Sequence, residues 1–491
     1  VTSVHALLDR LAARPAGTPA IDDGHTVLDA GALVHAVRAT AGALREAKVR
    51  TLATLLDNGP AWIVADLAAL AAGVVHVPLP AFFTPAQVDH ALDRAGVDAL
   101  LAPAARTGWT ATPLSCAGVP LRLGRRAFDG VPMPPGTAKI TFTSGTTGTP
   151  KGVCLDANAM FATARSLAQA LAPVSIERHL VSLPLAVLLE NIAGVYAPLW
   201  HGATVVAPTL AEVGLAGSSS FDPARLDAAA ARHRAHSVIT LPQMLRAWTA
   251  WRTAGRGVEL DLRFVAVGGA AAGEALVLAA RAAGLPAYEG YGLSEGGSVQ
   301  TLNLPGTDRP GSVGRPLPHA RVEVDARGEI VIGGTLMLGY LGDRAEAPAR
   351  WRTGDLGELD AGGALHVRGR LGNVLITGFG RNVSPEWVES ALRSQPAIRE
   401  AVVLGDGRPA LGAVLWTAPG TDDDAIRAAV DATNASLPDY ARVARWTRAL
   451  APFDVAAGTS TPNGRPRRDT VARLHEAVLW PLDERIHDVL P

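Results

Sequence analysis

Short apolar runs of strand character, each followed by a stretch of helical pattern, recur along the first half of the chain, and this alternation restricts it to a layered α/β fold. Residues 51–56 read as a strand, 61–72 as a helix and 74–79 as a second strand. A helix start is spelled out at Thr84, which can cap, with Pro85 at the first helical position and Gln87 completing a capping box. Residues 97–101 follow as a strand. The grammar returns where Asp222 and Pro223 open a helix, with strands at 237–241 and 262–267 and a helix at 273–283. Helices covering a largely parallel sheet are expected. Residues 103–135, rich in Pro, Gly and Ala, read as an irregular surface connection. After Pro310 the pattern changes to short strands and turns, with strands at 322–324, 329–332 and 364–367 and turns at 325–328 and 360–363. From about residue 371 a mixed unit begins, with a helix at 385–393 capped by Ser384 and a strand at 401–404. The expected organisation is a large N-terminal domain over 1–370 of layered α/β subdomains, with a β-rich subdomain at 310–370, and a small α+β C-terminal domain over 373–491.

At 491 residues the chain should fold as two or more packed units. Its 48% hydrophobic and 19% charged residues suit a globular protein with a sizeable core. With a formal net charge of −1 and no dense Lys/Arg run, it lacks the electrostatic footprint of a nucleic-acid or anionic-membrane binder, and a small molecule is the expected partner. Cys116 and Cys154 are too few for a disulfide framework or a zinc site, which fits a reducing, cytoplasmic setting. No signal peptide is read at the start. The most apolar stretch, 65–83, is interrupted by Asp66, His76, Pro78 and Pro80, so no membrane span is expected. Lysine occurs only at Lys48, Lys139 and Lys151, the rest of the 45 basic residues being arginine. A lysine retained in such a chain points to a specific role.

Between two apolar strands, 139–142 and 153–155, lies Thr143-Ser144-Gly145-Thr146-Thr147-Gly148-Thr149-Pro150-Lys151-Gly152. Backbone N–H groups of a glycine-rich turn can surround phosphate oxygens, the side-chain hydroxyls add donors, and Lys151 adds charge. No Gly-Lys-Ser/Thr leads into a helix, so it is not a Walker A loop.

This loop resembles the phosphate-binding motif of the adenylate-forming superfamily, which includes acyl-CoA synthetases, luciferases and the adenylation domains of peptide synthetases. Further segments resemble that family in order: Gly268-Gly269-Ala270, beside the adenine and acyl pocket; Tyr291-Gly292-Leu293-Ser294-Glu295; Arg352-Thr353-Gly354-Asp355; and Gly369-Arg370. The resemblance spans about residues 51–470. It implies ATP and Mg²⁺ as cofactors. Thr143, Ser144, Gly145, Thr146, Thr147, Gly148, Gly269, Ala270, Tyr291, Gly292, Ser294, Asp355 and Arg370 would bind nucleotide, Glu295 the metal, and Lys151, Glu295 and Arg465 would be catalytic. Tyr291 offers a flat face to a purine, Glu295 an oxygen ligand to Mg²⁺, and Asp355 an acceptor to two ribose hydroxyls. The implied activity joins a carboxylic acid to AMP with release of pyrophosphate and passes the acyl group to a thiol. That thiol is CoA, as the Gly380-Arg381-Asn382-Val383-Ser384-Pro385 segment suggests, or a separate carrier protein. A non-thiol acceptor, and a nucleotide-binding pseudoenzyme with a regulatory role, are the alternatives. The small domain would be mobile about a hinge at 371–372.

Two departures stand out. Relatives carry Gly-Lys near the C-terminus, whereas here Gly464 is followed by Arg465. The segment 183–190 lacks the aromatic residue and histidine common in relatives. By family geometry the acyl pocket draws on 186–194, 240–244, 268–271 and 295–299, mostly small and apolar, which suits a hydrophobic acid. Glu190 is the exception, a candidate either for contact with a polar substrate group or for a place facing solvent or an arginine.

Overall fold

The computed structural model describes residues 3–480 apart from 82, 129–130, 144–150, 217–219, 344–346, 374, 377–381, 407, 409 and 462–463. Two large sheets, each with a parallel core, form the body of the N-terminal part, as the expected layered α/β subdomains require. In one, Thr51–Thr54 pairs in parallel with Val75–Pro78 and Ala99–Ala102, and Val75–Pro78 pairs in parallel with Lys139–Thr143. In the other, the parallel core runs through Thr204–Val206, Arg178–Leu180, Ser237–Thr240, Phe264–Val267 and Ala287–Leu293. The helix Pro60–Ala72 is buried from Pro60 through Ala71, as a helix apolar on all sides must be. The capping box at Thr84 forms as read, with Thr84 and Gln87 each accepting from the other's backbone N–H, at 3.3 and 2.9 Å.

Residues 103–135 depart from expectation. Thr110–Cys116 and Val119–Arg125 form an antiparallel hairpin that extends the first sheet past Ala99–Ala102. Its two-residue turn is Ala117-Gly118, with φ of 54° and 80°, the pair of left-handed residues that a tight hairpin needs. Alanine in the first of these positions hides the turn, and Pro113 argues against a strand until its place on the edge of the sheet is seen.

The β-rich part is a four-stranded sheet ordered Ala320–Val324, Glu329–Gly334, Arg350–Leu359 and Leu365–Arg370. A small α+β domain follows, with the strands Ile398–Leu404, Leu411–Thr417 and Val443–Arg448 and the helices Pro385–Arg393, Asp423–Ala435 and Arg468–Leu479. Ser384 occupies the N-cap position of the first of these helices without capping it; its hydroxyl donates to Glu386 instead, at 3.1 Å. The domain sits against the large one. Arg246 donates to the carbonyl of Arg393 at 2.7 Å, and Gly369 packs so tightly on Ser384 that any side chain there would overlap it. Among the described residues no helix is long and apolar enough to cross a membrane. Cys116 and Cys154 are free and buried, and burial pushes both thiols up to about 11.

The polar residues that interrupt the apolar stretch have a structural destination. Asp66 and His76 are fully buried with Lys139, Asn191 and Tyr196. Asp66 lies 2.6 Å from the Lys139 ammonium and 2.7 Å from His76, and it accepts from Tyr196 at 2.6 Å and Asn191 at 2.9 Å. Lys139 also donates to Tyr196 at 2.9 Å and to Asn191. Burial alone would raise the Asp66 carboxyl, but Lys139 and His76 outweigh it and hold it well below the usual range. Lys139 opens the strand whose far end is Thr143. Asn191 and Tyr196 lie on a π-helix, Glu190–Tyr196. The cluster thus ties the strand that enters the phosphate-type loop to the helix that follows segment 183–189.

Candidate active site

The Gly/Ser/Thr loop joins antiparallel strands, Lys139–Thr143 and Lys151–Leu155, with Thr143 opposite Lys151. Ser144, Gly145, Thr146, Thr147 and Gly148 lie outside the described residues. Lys151 is exposed, its ammonium 5.3 Å from the centre of the Tyr340 ring.

Tyr291, Gly292, Ser294 and Glu295 lie where Ala287–Leu293 turns through Ser294–Gly296 into Ser298–Leu302. Gly292 sits at a register shift, where a side chain would overlap the carbonyl of Ser298. Gly297 and Ser298 both have positive φ, 69° and 93°, which turns the chain sharply and leaves Glu295 at the corner. The Glu295 carbonyl accepts from Met337 N at 2.7 Å, and its Oε1 accepts from the Tyr340 hydroxyl at 2.8 Å.

Asp355 and Arg370 are cross-strand partners in the four-stranded sheet. Asp355 accepts from Arg370 Nε and from the Tyr291 hydroxyl, both at 2.7 Å. Tyr291 is therefore anchored at its phenolic end, and burial followed by the Asp355 charge holds that phenol protonated far above its usual range. Thr353 supports the turn by donating to Ile330 O at 2.8 Å while accepting from Asp355 N at 3.0 Å. Arg370 also feels the charge of Glu295, which links the two corners.

Gly269 and Ala270 lie in the connection after Phe264–Val267. Gly269 has a φ of 80°, and a Cβ there would come 3.0 Å from Leu241; one on Gly268 would meet Leu189 at 3.8 Å. Two leucines thus stand over this glycine pair. Buried Glu289 accepts from Ala272 N at 2.7 Å and steadies the connection. Arg465 reaches across from the small domain, Nη2 lying 3.4 Å from the Gly269 carbonyl, within electrostatic range of Arg370, Asp355 and Glu386. Gly464 packs on Gln243 beside it.

Glu190 does not face solvent or an arginine, which corrects one of the two readings offered for it. It is fully buried and is bonded to His179 at 3.2 Å and to Leu183 N at 3.1 Å. His179 is held in turn by Ser237 at 2.8 Å. Gly194 is required here, since a side chain would overlap Glu190. Burial raises the Glu190 carboxyl despite His179. Its bonds tie the Leu183 backbone to His179 and, through it, to Ser237.

Comparison with known proteins matches this arrangement to a family. The model described as "AMP-binding enzyme" fits residues 8–341, and that described as "AMP-binding enzyme C-terminal domain" fits 373–479. The chain belongs to the AMP-binding enzymes. Among these, the long-chain-fatty-acid–CoA ligase FadD15 of Mycobacterium bovis is 31% identical over 242 residues, 43% of this chain. The match spans only 40% of that relative's length. Feruloyl-CoA synthase of Amycolatopsis sp is 30% identical over 437 residues, covering 80% of this chain and 84% of the relative. The o-succinylbenzoate CoA synthetase of Bacillus subtilis, solved with ATP and a magnesium ion, superposes with a TM-score of 0.74 at 22% identity, over 95% of this chain and 98% of that one. At that identity the likeness bears on the fold alone; that this AMP-binding enzyme carries a C-terminal domain of the family rests on the second family match, over 373–479.

One site residue was not anticipated. Tyr340 stands between Lys151 and Glu295, and its signal in the sequence was slight: one of five tyrosines, after a glycine in a loop-like run.

Proposed function

We propose that this AMP-binding enzyme is an AMP-forming acid–thiol ligase that activates an apolar carboxylic acid with ATP and transfers the acyl group to CoA. The observation that carries the reading is a set of contacts and charges gathered at one site: Lys151 on Tyr340, Tyr340 on Glu295, the Glu295 charge acting on Arg370, Arg370 and Tyr291 on Asp355, and Arg465 over Gly269. In this reading the acid's carboxylate oxygen attacks the α-phosphorus of ATP, the bond to the bridging oxygen breaks, and pyrophosphate departs. Lys151 meets the charge on the leaving group, Arg465 approaches the reacting carboxylate and α-phosphate, and Asp355 binds the ribose. CoA sulfur then attacks the acyl carbon of the mixed anhydride and AMP leaves.

The residues present fit a magnesium ion that arrives with the nucleotide. Glu295 supplies one hard carboxylate, and among the described residues no group of three or more His, Cys, Asp or Glu could hold a metal by itself. Mg²⁺ with nucleotides is commonly bound in this way, through one or two carboxylates plus phosphate oxygens and water. The ion would supply charge neutralisation to the phosphates.

Leu189, Leu241 and the Gly268–Gly269 pair support an apolar acyl group, as does the consumption of Glu190 by His179. The domains we assign are 1–370 and 373–491, joined by a hinge at 371–372. Leu371–Asn373 forms a single exposed turn, and open space surrounds Gly372. The free, buried thiols suit a reducing, cytoplasmic setting, and nucleic acid has no part in the reading.

The test is acid-dependent ATP–pyrophosphate exchange over a panel of aliphatic and aryl acids, then mass spectrometry with CoA added. Exchange with an apolar acid and a matching CoA thioester is expected. Exchange without thioester would move the acceptor to a carrier protein or a non-thiol group; ATP binding without any exchange would leave a regulatory nucleotide-binding protein. The ribose assignment is tested separately. Asp355→Ala is expected to weaken ATP and AMP binding about tenfold, the scale of a charge-assisted hydrogen bond. Unchanged calorimetric affinities would remove Asp355 from the nucleotide site.

A further inference from the structure

Segment 337–341 connects the two corners of the site through its backbone. Met337 N donates to the Glu295 carbonyl at 2.7 Å. Leu338 N donates to Cys154 O and Leu341 N to Gly152 O, both at 2.8 Å, so Gly339–Tyr340 pairs as an edge strand with Lys151–Leu155. The segment is held at one end by the residue that carries the metal-type carboxylate, and at the other by the strand that opens with Lys151.

Tyr340 is the side chain that acts on both. Its hydroxyl donates to Glu295 Oε1 at 2.8 Å, and its ring lies 5.3 Å from the Lys151 ammonium. The ring is itself fixed, meeting Trp351 edge-on at 5.9 Å. A phenolic hydroxyl beside an ionised carboxylate can only donate to it, since the carboxylate only accepts. A donor locked onto one carboxylate oxygen orients the other toward the ligand, as partners of metal-binding carboxylates generally do. An aromatic face attracts an ammonium and restricts where it rests.

We propose that Tyr340 is a positioning residue that orients the Glu295 carboxylate for the nucleotide-bound divalent cation and steadies Lys151 for the phosphates. This rests on the ligase reading for the identity of the ligands, but the placement of the groups does not depend on the acid or the thiol. A single residue then couples the metal and the lysine, the two positive charges that meet pyrophosphate.

The experiment compares full-length wild type, Tyr340→Phe and Tyr340→Leu. Phenylalanine keeps the ring, the Trp351 contact and the face under Lys151, and loses only Oη. For Tyr340→Phe, the affinity of the enzyme–ATP complex for Mn²⁺, read from the free-ion electron paramagnetic resonance signal, is expected to fall about tenfold. ATP affinity measured by calorimetry without divalent metal should stay within about twofold, and the unfolding midpoint should not move. The Mg²⁺ concentration for half-maximal pyrophosphate exchange should rise by a similar tenfold, with the wild-type rate recovered at saturation. Tyr340→Leu, which also removes the ring, should stay slower than wild type even at saturating Mg²⁺. Unchanged Mn²⁺ affinity in Tyr340→Phe would overturn the proposal, and so would a loss of Mn²⁺ affinity that tracks a lowered unfolding midpoint. The Mn²⁺ and ATP measurements need no acid, so they judge Tyr340 even if wild type activates none of the acids offered.

Discussion

Lys139→Met is expected to destabilise the large domain by about 3–5 kcal/mol, the cost of leaving a buried charge without its partner. The methionine is similar in length, so little packing is lost. What is lost is the ammonium 2.6 Å from Asp66, in a site where Asp66, His76, Asn191 and Tyr196 are all shut away from water. Asp66 is held ionised against its own burial by Lys139 and then His76, so without Lys139 it must either remain a poorly compensated anion or take up a proton. Combining Lys139→Met with Asp66→Asn should recover part of the loss, because the pair is then uncharged on both sides. Lys48→Met is the control: Lys48 is exposed, and a surface change of this kind is usually within about 0.5 kcal/mol. The measurement is the unfolding midpoint in denaturant with the large domain's transition followed separately. A Lys139→Met midpoint equal to that of Lys48→Met would mean that Asp66 is compensated by its neutral partners alone.

The buried cluster also marks where local sequence patterns stop being informative. Asp66 and His76 are visible in the sequence as interruptions of an apolar run, and Lys139 as one of three lysines. Nothing local says that they meet, because Asp66 belongs to a helix, His76 and Lys139 to neighbouring strands, and Asn191 and Tyr196 to a π-helix. Elements with strong local signals were legible, such as the capping box at Thr84 and the helix opening at Asp222 and Pro223, where the Asp222 side chain caps Ala224 N at 3.0 Å. The hairpin of Thr110–Cys116 and Val119–Arg125 was not, since its turn uses alanine where glycine or asparagine would announce it. Within the site, motif residues are identifiable one by one from the pattern Tyr-Gly-x-Ser-Glu or Arg-Thr-Gly-Asp. Pairings between motifs, such as Tyr291 with Asp355 or Tyr340 with Glu295, exist only once sheets place them side by side. Glu190 shows the same limit from the other side: its charge suggested a place facing solvent or an arginine, and it is buried against His179 instead.

On the proposed ligase reading, Lys151 and Arg465 come to the site from different domains, and that separation predicts which half-reaction each controls. Lys151 is anchored in the large domain by the pairing of its strand with Lys139–Thr143 on one side and Gly339–Tyr340 on the other, so it stays in place whatever the small domain does. Lys151→Ala should lower the pyrophosphate-forming rate about 10²–10³-fold, the usual cost of one lost electrostatic contact in a reacting site, with no change in the unfolding midpoint, since its side chain is exposed. Arg465 is delivered by the small domain, and its reach to the Gly269 carbonyl depends on the docked arrangement in which Gly464 packs on Gln243 and Arg246 holds Arg393. If the small domain turns about 371–372 before the thiol attacks, Arg465 leaves the cleft, and Arg465→Ala should impair adenylation while sparing acyl transfer from a supplied acyl-adenylate. Arg465→Lys is the sharper comparison, because lysine lacks the planar guanidinium fork that reaches Gly269. Adenylation by Arg465→Lys at or above the wild-type rate would show that one positive charge suffices at this position. Equal adenylation by wild type, Ala and Lys variants, beside a crippled Lys151→Ala, would place the whole electrostatic task in the large domain and leave Arg465 a docking contact.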